Sequence, residues 1–403
     1  TQLMLEPKTV TVAMVLSSKL TRDNGGTWES IRVNVTWPRE LRIADDPPNA
    51  PFGVSEAAPV WDTKAQLLRL LFKATDVTKG CCPCGETVAN NCCLCSSTKV
   101  YATHSSNQGQ TYAEPTLAFP LTGHDGKSLD WSLGGQQVTQ LRSGRFVVGG
   151  YVTWNSAGAP GTKGGPSTGG IGMLDRAAAL YSDDGVKFIQ ARMESGIAVK
   201  DNFANGLAEP VLAQVANGSV RLDLRNEDCK EHVKNWSAAG CVGVSALRVF
   251  MTSDDEGETF SGVRAFAVNK ELPGAARPDP DSGLGCQGSM LALRQNLYFC
   301  NPNDSNQRVS LTVQRSQDGG SVWTSKHAIV PKGTPSGYSS MATTGDPHKL
   351  AVAWEVMPLG KNDSRCIGYR GHVCQIGFAT FPAACRPAAA VELQIARGHG
   401  AVG

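Results

Sequence analysis

The residues whose types and spacing most directly suggest chemistry are the thirteen cysteines of the chain. Six of them stand between positions 81 and 95, in the runs Cys-Cys-Pro-Cys and Cys-Cys-Leu-Cys. The pairs Cys81/Cys84 and Cys92/Cys95 have the Cys-x-x-Cys spacing that can hold a zinc ion. However, only seven residues separate the two pairs, and other features of the sequence indicate an oxidising compartment. We therefore favour disulfide bonds over a metal site, and we expect no cofactor.

The remaining cysteines and the glycosylation sequons fit the same compartment. Six cysteines form three pairs about one hairpin apart, each of which could be closed by a disulfide: Cys229 with Cys241, Cys286 with Cys300, and Cys366 with Cys374. Cys385 is then left over. Five Asn-x-Ser/Thr sequons begin at Asn34, Asn217, Asn235, Asn303 and Asn362. Together these features predict a secreted or lumenal protein, with lysosomal and cell-surface locations included.

The composition favours a large, turn-rich β protein. Of the 403 residues 41% are hydrophobic, which is enough for a large core, while only 18% are charged and 44 are glycines. The net charge of +2 gives no general attraction to nucleic acid or to acidic membranes. No apolar run is long enough to form a transmembrane segment. We expect a monomer without a nucleic-acid partner.

A short pattern, Ser/Thr-x-Asp-x-Gly-x-x-aromatic, recurs along the chain and predicts a hairpin turn at each copy. Clean copies begin at Thr21, Ser253 and Ser316, and degenerate copies begin at Ser105 and Tyr181. In such a turn the Asp or Asn oxygen binds local backbone N–H groups, and the glycine supplies a positive φ. The aromatic side chain packs under the turn.

The spacing of the copies determines the predicted architecture. Intervals of 84, 76, 72 and 63 residues fit a four-stranded sheet with its loops, repeated around an axis as a β-propeller. A β-sandwich with coincidental turns is the alternative. A Cys-rich insertion at about 80–96 and a Gly-rich loop at about 155–170 interrupt the rhythm. The predicted propeller covers residues 1–385, and residues 386–403 form a low-complexity tail.

The repeats are identified as the Asp-boxes of the sialidase (neuraminidase) family, and further segments resemble that family in the same order. They are Ala208-Glu-Pro-Val-Leu212 with 216–226, Cys286-Gln-Gly-Ser289 with 308–313, Ser336-Gly-Tyr-Ser-Ser-Met341, and Ala353-Trp-Glu355. The resemblance runs from about residue 21 to residue 381. It implies an all-β, six-bladed propeller, with room for an incomplete first or last blade.

The resemblance also implies a binding site for sialic acid, a sugar with a carboxylate on its anomeric carbon. Guanidinium groups bind carboxylates bidentately, and the resemblance assigns this role to Arg225 and Arg308. A neutral tyrosine avoids the repulsion that a carboxylate nucleophile would meet, and sialidases use a tyrosine. By resemblance Tyr338 is the nucleophile and Glu209 the base that activates it. Glu355 would orient the third arginine of the family's triad.

Two further residues are candidates for the pocket lining. Tyr151 follows a segment, 134–148, that resembles a family strand near the glycerol side of the sugar. Gln287 either lines the pocket or satisfies backbone groups in its turn. Each catalytic candidate also has a structural alternative, as a packed loop aromatic, a surface cation or a strand end. Their joint occurrence, in family order and at family-like spacing, favours the sialidase interpretation.

The family pattern is incomplete at the start of this sequence. The twenty residues before Thr21 contain neither the family's Arg-Ile-Pro segment nor any Asp, and nothing supports a catalytic role for Glu6, their only acid. Asp62 follows the first box and is expected to be structural. We therefore expect the first arginine and the acid/base Asp to be missing, and loss of the acid costs about a hundredfold to ten-thousandfold in rate. We also expect the strand at about 375–381 to have an unpaired edge.

Three functions are open on the sequence. The first is an exo-α-sialidase that releases terminal sialic acids from glycoproteins, gangliosides or oligosaccharides, with retention through a tyrosyl-enzyme intermediate, although this chain by itself could be inactive. The second is a non-catalytic, lectin-like propeller that binds sialic acid. The third is a trans-sialidase, which has the same chemistry with a sugar acceptor in place of water. Sialylated glycans are the expected ligands in all three.

Overall fold

A computed structural model of the chain describes residues 16–18, 23, 27, 29, 32–35, 52–76, 98–119, 131–134, 137–155, 173–194, 199–200, 203–205, 207–226, 248–265, 286–304, 307–356 and 375–383. These residues contain 25 β-strands and no helix. Over the same residues there is accordingly no helix with the length and apolarity needed to cross a membrane. The prediction of an all-β fold is confirmed for this part of the chain.

Most of the strands group into five blades of a propeller. Blade 1 contains β3 (Phe52–Asp62), β4 (Leu67–Asp76), β5 (Thr98–Ser105) and β6 (Thr116–Phe119). Blade 2 contains β7 (Trp131–Ser132), β8 (Val138–Gln140), β9 (Phe146–Asn155), β10 (Met173–Ser182) and β11 (Ile189–Gln190). Blade 3 contains β15 (Leu207–Gln214), β16 (Val220–Asn226), β17 (Val249–Ser253) and β18 (Thr259–Ala265). Blade 4 contains β19 (Ser289–Leu293), β20 (Asn296–Pro302), β21 (Leu311–Ser316) and β22 (Ser325–Ala328), and blade 5 contains β23 (Ser339–Thr343), β24 (Lys349–Val356) and β25 (Gln375–Pro382).

Blades 2 and 3 are joined into one twelve-stranded sheet. Their link is a parallel bridge between β10 and β15, at Arg176 and Leu207. The short strands β12 (Arg192–Met193), β13 (Val199–Lys200) and β14 (Phe203–Asn205) reinforce it, because β12 pairs with β18 and β14 pairs with β10. The start of β15 is therefore held against blade 2.

A sixth blade is not seen in the part of the chain that the structure describes. The strands β1 (Leu16–Ser18) and β2 (Arg32–Val35) form a separate two-stranded antiparallel ladder. They flank the first repeat, where the Asp23 carboxylate accepts hydrogen bonds from the Thr27 backbone N–H at 2.8 Å and the Thr27 hydroxyl at 2.7 Å. Two strands do not make a blade, so the sixth blade stays a prediction. Among the described strands β25 pairs with β24 alone.

The predicted turn geometry of the repeats is confirmed. In the copy that begins at Ser253, the serine hydroxyl accepts the N–H of Gly257 at 2.8 Å, and Asp255 accepts the N–H of Thr259 at 2.8 Å. Gly257 has a φ of +88°, and the aromatic ring of Phe260 is fully buried beneath the turn. A side chain at positive φ would strain the backbone, so the pattern requires glycine there.

One repeat is shifted by a residue relative to the prediction. The copy that begins at Tyr181 was expected to use Asp183, but Asp184 accepts the local hydrogen bonds, from the Ser182 hydroxyl at 2.9 Å and from the Lys187 N–H at 2.9 Å. Asp183 bonds with Arg145 Nε at 2.6 Å. Asp184 stands two positions after Ser182, the same spacing as Ser253 and Asp255, so the local pattern selects Asp184 for the turn.

Asp62 has the structural role that was expected of it. Its Oδ1 atom accepts the N–H groups of Lys64 and Ala65, each at 3.0 Å, in the turn between β3 and β4. Its Oδ2 atom lies 2.7 Å from Arg69 Nε. These bonds hold the pKa of Asp62 below its usual value against the opposing effect of burial, the largest single influence. The carboxylate is thereby committed to the turn.

Cys286 and Cys300, which were expected to form a disulfide, are both buried thiols in the structure. Ser289 is the residue opposite Cys300 in the β19–β20 ladder, and Cys286 precedes it by three positions. A cross-strand disulfide needs Cα atoms about 5.5 Å apart, and sequence spacing alone does not give the register. The other predicted cysteine pairs and the Cys-rich insertion lie outside the described residues.

The first strands of successive blades line the axis of the propeller. β3 packs against β8, β8 against β15, β15 against β19, and β19 against β23. Blade 4 is buried on both faces: on β20, Tyr298 and Cys300 face blade 5, whereas Leu297 and Phe299 face blade 3. Because alternate residues of a strand point to opposite faces, the sheet-on-sheet packing fixes which side chains reach the axis.

Candidate active site

The predicted catalytic residues lie on neighbouring segments around the axis. Glu209 is the third residue of β15, Arg225 the sixth residue of β16, and Tyr338 immediately precedes β23. Arg225 pairs with Ala208 in the β15–β16 ladder and therefore stands beside Glu209. Tyr338 is 129 residues further along the chain than Glu209, and the closure of the propeller brings it back to blade 3.

These three side chains are in direct contact. The Tyr338 hydroxyl donates a short hydrogen bond to Glu209 Oε1. Arg225 Nη1 donates to Glu209 Oε2 at 2.6 Å and lies 3.4 Å from the Tyr338 hydroxyl oxygen. The Arg225 and Glu209 side chains are 4% and 8% exposed. The phenol and the guanidinium thus donate to different oxygens of one buried carboxylate. The phenol proton therefore points at a charged acceptor.

The backbone at Glu209 is what aims its carboxylate. Glu209 has a φ of +43°, and the register of the β15–β16 ladder shifts between Ala208 and Val211, as at a β-bulge. Bulges are a common way to re-aim a side chain next to an active site. Pro210 is clamped by two glycines, because a Cβ atom on Gly134 would lie 2.5 Å, and one on Gly149 2.8 Å, from its atoms. The packing therefore stabilises a backbone conformation that side chains rarely adopt.

Arg308 approaches the tyrosine from blade 4. Its Cζ atom lies 5.5 Å from the centre of the Tyr338 ring, within the range of a cation–π contact. The Arg308 carbonyl accepts the N–H of Ser336 at 2.9 Å, and the next residue, Val309, forms an isolated bridge with Pro335. These bonds tie the segment that carries Arg308 to the segment that carries Tyr338.

Glu355 holds the backbone of Tyr338. Its Oε2 atom accepts the Tyr338 N–H at 3.1 Å, and its own N–H donates to the Tyr338 carbonyl at 2.9 Å. Burial raises the pKa of Glu355, while the hydrogen bond from Tyr338 and the charge of Arg308 oppose this increase. Its expected action on a third arginine stays a prediction.

The electrostatics keep the phenol protonated. Burial raises the pKa of Tyr338 well above its usual value of 10.0, and the negative charge of Glu209 adds to the effect. The charges of Arg225 and Arg308 act in the opposite direction. The neutral phenol can therefore donate to Glu209 at neutral pH, and it becomes anionic only when a base removes its proton.

The two pocket-lining candidates lie on other segments of the propeller. Gln287 is 4% exposed and lies on the segment that leads into β19. Tyr151 is on β9, half-buried, and packs against the hydrophobic core of blades 1 to 3. Their roles in the pocket stay predictions. Within the described residues there is no group of three or more His, Cys, Asp or Glu side chains that could hold a metal ion.

Comparison with known families places this site in a recognised fold. The family described as "BNR repeat-like domain" matches residues 28–350 of the chain. The chain belongs to the BNR repeat-like family. The Asp-box interpretation of the repeats, made from a single recurring turn, is thereby confirmed. A search of curated protein sequences finds no significant match.

Solved structures similar to this BNR repeat-like protein include sialidases, trans-sialidases and a protein of unknown function from Dyadobacter fermentans. A Hadza microbial sialidase, Hz136, is 18% identical with a TM-score of 0.56, over 85% of this chain and 57% of that one. The NanB sialidase from Streptococcus pneumoniae, in complex with 2-[(3-chlorobenzyl)ammonio]ethanesulfonate, is 14% identical with a TM-score of 0.58, over 92% and 64%. The intramolecular trans-sialidase from Ruminococcus gnavus, in complex with oseltamivir carboxylate, is 11% identical with a TM-score of 0.55, over 92% and 88%. The chain spans about three fifths of the first two, and the likeness establishes a sialidase-like propeller fold.

Sequence reasoning missed a buried ionic network beside Arg225 in this BNR repeat-like protein. Arg221, Asp223 and Arg225 alternate on β16, and the leucines between them belong to the core shared with blade 2. Asp223 accepts a short hydrogen bond from Arg248 Nε, and both side chains are fully buried. Arg248 also donates to the Cys286 carbonyl at 2.9 Å. The charge alternation along β16 was the available signal that these three residues share one face of the strand, and the structure shows that this face is buried.

Proposed function

We propose that the protein is an exo-α-sialidase that hydrolyses terminal sialic acids from glycoproteins, gangliosides or oligosaccharides with retention of configuration. The observation that carries the proposal is the contact of the Tyr338 hydroxyl with the carboxylate of Glu209, beside Arg225 and Arg308. A buried phenol on a carboxylate, with two guanidinium groups next to it, matches what an acidic sugar requires of a glycosidase. The similarity of the fold to sialidases supports the proposal.

The arginines supply the electrostatic part of the function. Arg225 and Arg308 both approach Tyr338, so a sugar whose anomeric carbon faces the phenol would have its carboxylate near both cations. Guanidinium–carboxylate hydrogen bonds are charge-assisted and about twice as strong as neutral ones. The anchored carboxylate would fix the anomeric carbon against the tyrosine oxygen, which is the positioning that nucleophilic catalysis needs.

The covalent step uses Tyr338 and Glu209 together. As the tyrosine oxygen bonds to the anomeric carbon, the glycosidic C–O bond breaks and Glu209 takes the phenol proton. The leaving oxygen receives a proton from an acid or from water. Water then attacks the same carbon and gives a proton to the base left behind when the leaving oxygen was protonated. Glu209 returns its proton to the departing phenolate, and sialic acid is released with retention. The high pKa of Tyr338 makes this coupled base necessary, since little phenolate exists at neutral pH.

The decisive experiment measures turnover of an aryl sialoside. An aryl leaving group departs with little protonation, so the assay reports the nucleophile and its base even where the general acid contributes little. Tyr338→Phe should reduce kcat by about a thousandfold or more, as removal of a nucleophile does. Tyr112→Phe, in the turn of the second repeat, is the matched control and should keep full activity. Equal activity of wild type and Tyr338→Phe would refute the assignment.

Two other functions have distinct outcomes in the same assay. Two of the similar structures are intramolecular trans-sialidases, one of them a leech enzyme in complex with 2,7-anhydro-Neu5Ac. Release of such an anhydro sugar in place of free sialic acid would identify that reaction in this chain. Saturable binding of sialosides without turnover would identify a lectin-like propeller.

A further inference from the structure

Two buried serines join blade 4 to blade 5 directly beside the candidate nucleophile. Ser289 is the first residue of β19 and Ser339 is the first residue of β23, and the two residues are 1% and 4% exposed. Their hydroxyl oxygens lie 3.2 Å apart. Because Ser339 immediately follows Tyr338 in the chain, a contact that holds Ser339 also acts on the backbone of Tyr338.

The hydrogen bonds of the two serines form a chain with a defined direction. The Ser339 hydroxyl donates to the carbonyl of Cys300, on β20, at 3.1 Å. A serine hydroxyl has one proton to donate, so the contact between the serines uses the proton of Ser289, and Ser339 accepts it. The first two strands of blade 4 therefore both hold the first residue of β23.

This pair of hydroxyl groups borders an apolar interface. Ser339 and Met341 share one face of β23, and Met341 and Cys300 belong to the hydrophobic cluster of blades 4 and 5. Burial of a hydroxyl costs free energy unless it is hydrogen-bonded, and two apolar side chains of similar shape would fill the same space without that cost. The serine pair therefore adds little net stability. What it supplies is a directional contact that fixes how the two blades meet.

The meeting of these two blades matters for the site because blade 4 stands between the base and the nucleophile. Glu209 is on blade 3 and Tyr338 is at the start of blade 5, so their separation depends on the packing of both blades against blade 4. Glu355 fixes the Tyr338 backbone within blade 5. The serine pair fixes the neighbouring residue against blade 4. Misplacement of a reacting group by about 1 Å can cost about a hundredfold in rate.

We propose that Ser289 and Ser339 are positioning residues that hold the Tyr338 hydroxyl against Glu209. The inference rests on the proposed function and goes one step beyond it, because the serines act through the backbone of the nucleophile and not on the sugar. The phenol oxygen stands at the far end of a rigid ring, so a small backbone rotation moves it away from its base. Loss of the pair should therefore lower kcat by about tenfold to a hundredfold. KM should change less, because the two arginines still hold the sugar carboxylate.

The test compares Ser339→Ala with the double variant Ser289→Ala/Ser339→Ala, by turnover of the aryl sialoside and by thermal unfolding. Ser339→Ala leaves the buried Ser289 hydroxyl without its acceptor, so it should have the lower unfolding temperature of the two. The double variant removes both hydroxyls and should regain most of the lost stability. Its kcat should nevertheless stay about tenfold to a hundredfold below that of wild type, because the positioning contact is still absent. A role in folding alone predicts the opposite, which is recovery of kcat together with stability.

Ser340→Ala is the matched control, since Ser340 is the next residue of β23 and is exposed. It should keep the kcat, KM and unfolding temperature of wild type. If the double variant has the kcat of wild type while Tyr338→Phe is inactive, the positioning role is refuted and the proposed function stands. If wild type does not cleave the sialoside, the proposed function fails and the positioning role fails with it.

Discussion

Replacing Glu209 by glutamine removes the acceptor of the Tyr338 proton while keeping the size of the side chain. The two carboxylate oxygens have different donors, the Tyr338 hydroxyl on Oε1 and Arg225 Nη1 at 2.6 Å on Oε2. A glutamine has one carbonyl oxygen, and the charged donor is the stronger. We therefore expect the amide oxygen to face Arg225 and the amide NH2 group to face the phenol. The phenol then has no base.

The size of the effect follows from the role of the base. General-base catalysis contributes about a hundredfold to ten-thousandfold, which is about 3 to 5 kcal/mol in the barrier at roughly 1.36 kcal/mol per factor of ten. We expect kcat of Glu209→Gln to fall within this range for an aryl sialoside. KM should change less, because Arg225 and Arg308 remain to hold the sugar carboxylate.

The pH dependence separates a lost base from a damaged site. The charge of Glu209 raises the pKa of Tyr338, so its removal lowers that pKa, although burial still opposes ionisation. Below its pKa, the phenolate fraction rises about tenfold per pH unit. In the variant, kcat should therefore rise by up to about tenfold per pH unit, because the nucleophile is then the phenolate already present and no longer a phenol deprotonated by Glu209. Wild type should show no such rise around neutral pH.

The assay is steady-state turnover of the aryl sialoside from pH 6 to about pH 9, with thermal unfolding of each variant as a check on folding. This range lies below the raised pKa of Tyr338, so the small phenolate fraction grows with pH throughout it. Glu258→Gln, whose carboxylate is 48% exposed, is the control and should behave as wild type. A folded Glu209→Gln variant with kcat within about threefold of wild type at neutral pH would refute the reasoning, since general-base removal costs far more.

Three further predictions concern stability, packing and modification. Asp223→Ala leaves the buried Arg248 without its carboxylate and should lower the free energy of unfolding by about 3–5 kcal/mol in denaturant titrations, whereas Asp254→Ala, on an exposed turn, should change it by about 0.5 kcal/mol or less. Gly134→Ala places a Cβ atom 2.5 Å from Pro210; it should cost about 1–3 kcal/mol of stability, and kcat should fall as Glu209 shifts, while unchanged values of both would contradict the clamp. In a secretory host the exposed Asn217 should carry a glycan, and Asn303, whose Oδ1 is buried, should not. Treatment with a glycosidase should therefore lower the mass of Asn217→Gln by one glycan less than it lowers the mass of wild type. For Asn303→Gln the loss of mass should equal that of wild type.

The repeated turns could be predicted from the sequence because their contacts are local. In the copy that begins at Ser253, the hydrogen bonds join residues four positions apart. The short sequence pattern is therefore enough to predict the turn. The copy that begins at Tyr181 follows the same local rule, because Ser182 and Asp184 have the spacing of Ser253 and Asp255. Asp183 lies outside that spacing and bonds with Arg145, 38 residues away along the chain.

The sequence predicted which residues form the candidate site, and the tertiary structure decided how those residues are arranged. The family-like segments named Glu209, Arg225, Arg308 and Tyr338, but their spacing does not say which carboxylate oxygen meets the phenol and which meets the guanidinium. A disulfide that could close the pair Cys286 and Cys300 is not seen, and both are free thiols in the structure. The reason is the same, since a distance along the chain does not give the ladder register.

The sequence by itself determined a repeated β architecture and the residue types of the candidate site, because periodic turns and residue types are properties of short segments. Only the tertiary structure decided that Tyr338 lies on Glu209 and that Glu355 holds the tyrosine backbone. These contacts join residues between 17 and 129 positions apart. They depend on how the blades close around the axis and on the bulges that turn individual side chains toward it.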